Sequence, residues 1–232
     1  MITVAPDLTY KMTIKMAVQQ LIHSPMLPMY VQAFQALLQE EQKKRERFYE
    51  EMSEEQKVEF INGEVIIQSP AKLRHTMASQ NLFTLLSMYV TKHNLGYVGH
   101  EKILVTLARN DYEPDIVYFG PEKAQAFTLD LMKFPAPDLV VEVLSPSTEE
   151  NDRGIKLVDY AGHSVAEYWI VDPGEEMIEQ YVLAGESYRL HVKINSGTVR
   201  SVAVEGFAVP VRAVFDEDVR FAAVQAILDA DA

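Results

Sequence analysis

From residue 31 the apolar positions recur at helical spacing. In VQAFQALLQEEQKKRERFYEEMSEEQK, Val31, Phe34, Leu37 and Leu38 form a stripe, followed by a mixed-charge segment from Glu40 to Lys57. This predicts one helix over 30–58, preceded by a linker marked by Pro25 and Pro28. Its charged half reads as a solvated helix supported by ion pairs one turn apart, with a dimerisation arm as the alternative. In VEFINGEVIIQSP (58–70) two apolar runs flank Asn62-Gly63. That is a hairpin signal, because a type I′ turn needs positive φ at both central residues. A helix is expected over 73–93, burying Leu82, Leu85, Leu86 and Tyr89, with His75 near its start. Beyond Gly96, the segments YVGHEKILVTLA, YEPDIVYFG and PDLVVEVLS read as three strands. Residues 151–163 read as a helix and EYWIVDP as a fourth strand. From Met177 the alternation around Gly185 and Gly197 predicts an antiparallel meander, and the tail from Asp216 a closing helix capped at or near that residue. The whole is a mixed α/β (α+β) order, a sheet flanked by helices with an added β-meander.

Composition narrows the class. A chain of 232 residues, 48% hydrophobic and 24% charged, allows one sizeable soluble domain plus an extension. It has no cysteine, which excludes disulfides, thiolate zinc sites and thiol catalysis. The histidines form no metal-spaced cluster, Ser145 lacks a nucleophile-elbow setting, and no P-loop or dinucleotide fingerprint occurs. No stretch is long and apolar enough to span a bilayer, and the first thirty residues lack the apolar core of a signal peptide. A cytoplasmic protein without a membrane partner is expected. The formal net charge of −13 disfavours coating a polyanion, yet leaves open a nuclease whose acids bind metal.

Two predicted strands carry oddly placed acids. By the two-residue period, Asp115 shares a face with Val117 and Phe119, and Glu142 with Val140 and Leu144. An ionised carboxylate among valines is costly unless it has a partner or sits at a sheet margin. If the two strands are neighbours, their carboxylates converge, as a hard divalent cation requires. In NDRGIKLVDYAGH, Asp152, Lys156 and Tyr160 share one helix face, which could aim a lysine at those strand ends. Glu64, just after the turn, is a possible third acid. Each residue alone has an ordinary reading: a hydrated edge acid, a solvated lysine, a first-turn acid, a core tyrosine, a first-turn histidine. Lys72, Arg74, Lys102 and Arg153 are candidate phosphate contacts by position.

The run PDLVVEVLSPSTEENDRGIKLVDYAGHSVAEYWIVDP, together with EFINGEVIIQSP, His75 and EPDIVYF, resembles the Uma-two family of endonucleases within the restriction-endonuclease-like PD-(D/E)-x-K superfamily. The resemblance covers roughly residues 56–215. It divides the chain into an N-terminal helical extension (1–55) and a restriction-endonuclease-like domain (56–232). It implies a metal-dependent phosphodiesterase in which Asp115 and Glu142 hold Mg²⁺ or Mn²⁺. The chain departs from the superfamily pattern at Glu142-Val143-Leu144, which has no lysine two residues on; the family resemblance shifts that role to Lys156. Lys156 would orient water or offset developing charge, with Glu64 and His75 in support. The implied partner is nucleic acid, DNA first, and the implied assembly a homodimer. Two rivals stand beside it: a degenerate member that binds nucleic acid or protein without cutting, and an interaction protein assembled through the 30–58 helix.

Overall fold

The computed structural model describes residues 16–53 and 56–230. Helix α1 (Leu27–Glu51) carries Pro28 in its first turn, where a missing N–H is no loss, so this proline opens the helix rather than ending a linker. Strands β1 (Val58–Ile61) and β2 (Glu64–Ile67) form the predicted hairpin, turning at Asn62 (φ 51°) and Gly63 (φ 83°). Helix α2 (Leu73–His93) follows and ends at Asn94 in the left-handed region.

Two segments that read as single strands are each two. Glu101 and Lys102 both have positive φ, which divides β3 (Tyr97–His100) from β4 (Leu104–Thr106). Glu113-Pro114-Asp115 divides β5 (Asp111–Tyr112) from β6 (Ile116–Phe119), since a proline cannot donate to a ladder. After α3 (Pro121–Ala124), β7 (Lys133–Phe134) and β8 (Leu139–Val143), the helix predicted over 151–163 is also two, α4 (Glu149–Arg153) and α5 (Ile155–Gly162). The break is Gly154 (φ −109°, ψ −101°), where a Cβ would stand 2.7 Å from the Glu150 carbonyl oxygen. Strands β9 (Glu167–Asp172), β10 (Met177–Ala184) and β11 (Ser187–Ile194) come next. The expected meander does not continue through Gly197: among the described residues β12 (Thr198–Arg200) and β13 (Ala208–Pro210) pair only with each other. Helices α6 (Arg212–Phe215) and α7 (Glu217–Asp229) close the chain, with Asp216 capping α7 through the Val219 N–H at 3.1 Å.

Among the described residues the strands form a six-stranded sheet in the order β11-β10-β9-β8-β6-β3 and a five-stranded sheet in the order β2-β1-β5-β4-β7. In the larger sheet β8 and β9 are parallel while β6 and β8 are antiparallel. One face, with Ile116, Val141, Val143 and Trp169, packs on Leu82, Leu85 and Leu86 of α2. The other, with Val117, Val140 and Ile170, packs on Tyr160 of α5 and on Ile61, Val105 and Tyr112 of the smaller sheet.

Two buried polar devices hold the layers together. Arg45 of α1 donates to both carboxylate oxygens of Asp111, at 2.6 and 2.8 Å, and to the carbonyls of Leu107 and Asn110. The fully buried Glu167 accepts from Trp169, Gln180, the Ser201 hydroxyl and the backbone N–H groups of Val202 and Ala203. Such a carboxylate is tolerable in a core because donors replace its water.

Candidate active site

The segment 113–115 carries the chain from the smaller sheet to the larger, and the site lies at that crossing. In the β6–β8 ladder Ile116 faces Val141 and Val117 faces Val140. One step further along the same antiparallel register sets Asp115 opposite Glu142. Asp115 thus stands beside Glu142 at the end of the ladder, and Glu142 lies on the face that receives α5. Each is almost completely buried.

Lys156 comes to Glu142 from α5. Its ammonium is 3.0 Å from Glu142 Oε1, 2.8 Å from Glu59 Oε1 and 3.0 Å from Asp152 Oδ1. The contact with Glu142 is a hydrogen bond. The other two are ion pairs without hydrogen-bond alignment, and Asp152 Oδ1 has no donor among the described residues. Tyr160 donates to Glu142 Oε1 at 3.1 Å. Asp152, Lys156 and Tyr160 thus act from one helix face, although Asp152 belongs to α4. Burial disfavours the charge on Lys156, but Glu142, Glu59 and Asp152 outweigh it and hold the ammonium well above the ordinary lysine range. Burial raises the Glu142 carboxyl well above its ordinary value; Lys156 opposes this, while Asp152, Asp115 and Glu59 reinforce it.

Asp115 has a different set of partners. Lys57, just before β1, meets Oδ1 at 2.5 Å, while Oδ2 accepts from the Val143 N–H at 2.8 Å and lies 3.3 Å from His75 Nε2. Burial would raise this carboxyl, but Lys57 and His75 hold it below the usual carboxylate range. His75 is raised in turn, because Asp115 outweighs its burial. Its Nδ1 is buried and without a partner among the described residues. A cleft of about 190 Å³ opens beside it, lined by Lys72, Arg74, His75, Ser145 and Glu149 among others.

Of the residues singled out in sequence, Asp115, Glu142, Lys156 and His75 come together and Glu64 does not. Glu64 is exposed at the start of β2. The acid that the hairpin sends inward is Glu59 of β1, which also accepts the Glu113 N–H at 3.1 Å. Glu59 repeats the anomaly of Glu142, an acid inside an apolar strand, and that signal could have identified it. Lys57 lay hidden at the end of a charged run. Among the possible phosphate contacts, Lys72 and Arg74 line the cleft, whereas Arg153 is engaged by Glu149 and Glu179 and Lys102 lines a separate apolar hollow.

No three His, Asp or Glu side chains among the described residues are gathered as a ready-made metal cage. The donor chemistry nonetheless fits a hard cation. Asp115, Glu142, Glu59 and Asp152 confront the ammonium groups of Lys57 and Lys156 and the imidazole of His75, which leaves acid that a proton or a divalent ion would balance. Mg²⁺ ordinarily takes one or two carboxylates and completes its shell with water and substrate oxygens.

The family model for Uma2, described as "Putative restriction endonuclease", matches residues 45–212, more than half of the chain. Among solved structures the chain is similar to a putative nuclease belonging to DUF820 from Anabaena variabilis. The likeness has 17% identity and a TM-score of 0.63, covering 72% of this chain and 94% of that one. At that identity it supports the fold, which is restriction-endonuclease-like. The type IIG restriction endonuclease BpuSI is also similar over 67% of this chain and 16% of its own, at 16% identity and a TM-score of 0.35. No curated protein matches.

Proposed function

The chain belongs to the Uma2 family of restriction-endonuclease-like nucleases, and from that premise we propose that it is a metal-dependent endonuclease hydrolysing phosphodiester bonds in nucleic acid, DNA first. The observation that carries this reading is the β6–β8 register, with Asp115 beside Glu142 and Lys156 on Glu142. Asp115 and Glu142 would hold Mg²⁺ or Mn²⁺. Such an ion, when bound, lowers the pKa of its water and offsets charge at the phosphate. Lys156 and Tyr160 aim Glu142 through Oε1, so Lys156 positions a ligand rather than meeting the substrate. Lys57 stands on Asp115 Oδ1 as a monovalent counter-charge. His75 orients Asp115 through Nε2 from the wall of the cleft. Lys72 and Arg74, exposed on the cleft wall, are suited to phosphate oxygens.

A second reading has its own support. Because Lys57 and Lys156 already neutralise part of the acid cluster, a member of this fold could bind nucleic acid without cutting it. Calorimetric titration of Mn²⁺ separates the two. The nuclease reading expects binding to the wild type and at least tenfold weaker binding to both Asp115→Asn and Glu142→Gln. Nucleic-acid affinity that is independent of metal, with no difference in Mn²⁺ binding among the three proteins, would favour the second.

A further inference from the structure

Among the described residues nothing lies beneath the first half of α1: every residue from 28 to 40 is exposed. In its second half, Glu41, Arg45 and Phe48 are buried against the body, through Arg109, Asp111 and Phe60. At about 3.6 residues per turn, that docked face continues backwards as Tyr30, Val31, Phe34, Leu37 and Leu38. The helix therefore presents one continuous stripe, covered at one end and bare at the other. Of the twenty large apolar side chains exposed among the described residues, ten lie between Met16 and Leu38. A free helix of this length is marginal in water without a packed face.

The charge pattern selects the occupant. From 16 to 39 there is no Asp, Glu, Lys or Arg, in a chain that is 24% charged. Helices that lie on membranes usually carry Lys or Arg on their polar face; here that face is built largely of glutamine. A charged partner surface would find nothing to pair with. A second copy of the same uncharged stripe matches it, since a two-fold interface joins one patch to itself. The ten apolar side chains of the arm are 39–60% exposed; covering all of them would bury at most on the order of 800 Å² per protomer, about the size of a standard interface.

We propose that residues 16–38 form a dimerisation arm that packs against the same segment of a second copy about a two-fold axis. The arm lies wholly before the family match, which begins at residue 45. It would thus be an addition to the nuclease-like body rather than part of its site, and it stands whether or not that body cuts.

The test is sedimentation of the full chain at micromolar concentration. The wild type is expected at twice the 26.3 kDa chain mass. Phe34→Glu with Leu38→Glu is expected at the single mass, with the near-ultraviolet circular dichroism of the body unchanged and any far-ultraviolet loss confined to the uncovered arm, because both side chains face solvent within the chain. Val202→Glu, at another exposed apolar position, should remain dimeric. A monomeric wild type overturns the proposal, as does a double variant that stays dimeric. So does a monomeric wild type that floats with lipid vesicles, which would assign the stripe to a membrane surface.

Discussion

Lys156 is the residue on which the candidate site balances, because one buried ammonium faces Glu59, Glu142 and Asp152. Replacing it by methionine keeps much of the volume and leaves the carboxylates confronting one another, at a cost of about 3–5 kcal/mol. The pH dependence of that loss has a definite sign. In the wild type the raised Lys156 contributes across neutral pH and is lost only as pH climbs through its folded value. In Lys156→Met the Glu142 carboxyl loses the ammonium that opposed its rise, so its folded pKa climbs further above the ordinary value. Its penalty is full above that folded value and shrinks as pH falls toward about 4.5. The Tm gap between wild type and variant should therefore narrow between about pH 8 and pH 5, as differential scanning calorimetry can measure; a constant gap would mean that packing alone accounts for the loss. The same residues mark how far sequence could see. Asp115, Glu142 and Lys156 were legible because strand and helix periods fix which side chains share a face. Glu64 is named by its place just after the turn and Glu59 is not, because Asn62-Gly63 fixes a turn without fixing which arm faces the body, and burial falls on β1.

Elements followed their local signals where those signals were uninterrupted, as in α2, the Asn62-Gly63 hairpin and the Asp216 cap. They departed where the chain changes sheet. Nothing in YVGHEKILVTLA announces that Glu101 and Lys102 take positive φ, because the preference is imposed by the two sheets that the segment must join. Once formed, elements are tied by charges whose partners lie far apart in sequence. Glu179 of β10 holds Arg153 of α4 at 2.9 Å and Lys193 of β11 at 2.9 Å, and accepts the Tyr181 hydroxyl. Burial pushes its carboxyl up, but Arg153, Lys193 and Tyr181 prevail and hold it at about 2, below the ordinary 4.5. A carboxylate lowered in this way stabilises the fold above its unfolded value and ceases to do so as pH falls through its folded one. Urea unfolding of Glu179→Gln should accordingly show a clear deficit at neutral pH that closes as pH is lowered from 4.5 to about 2. A deficit that persists undiminished to the acid end would assign the stabilisation to geometry rather than charge.

At the scale of the molecule, a net charge of −13 opposes any polyanion, so nucleic acid has to be met by a local exception. The cleft beside His75 offers one. Lys72 and Arg74 are exposed at the start of α2, whose first turn holds no acid to oppose them, although Glu149 and Asp172 sit on the same cleft. A surface of this kind touches few phosphates, and the surrounding acid keeps the rest of the duplex at a distance. Binding should therefore be weak at physiological salt and should fall with a shallow slope of log affinity against log salt, since each neutralised phosphate contributes about 0.9 to that slope. Changing Lys72 and Arg74 together to alanine should reduce the slope by about 2 and weaken DNA binding at low salt, measured by fluorescence anisotropy on a labelled duplex. Neither side chain is among the partners of Asp115 or Glu142, so Mn²⁺ affinity should be unchanged in the same protein. That pairing of results separates the path of the substrate from the acids it would reach. An unchanged salt slope would send the nucleic acid along another face, and a parallel loss of Mn²⁺ would mean that the cleft wall and the acid cluster are one structural unit.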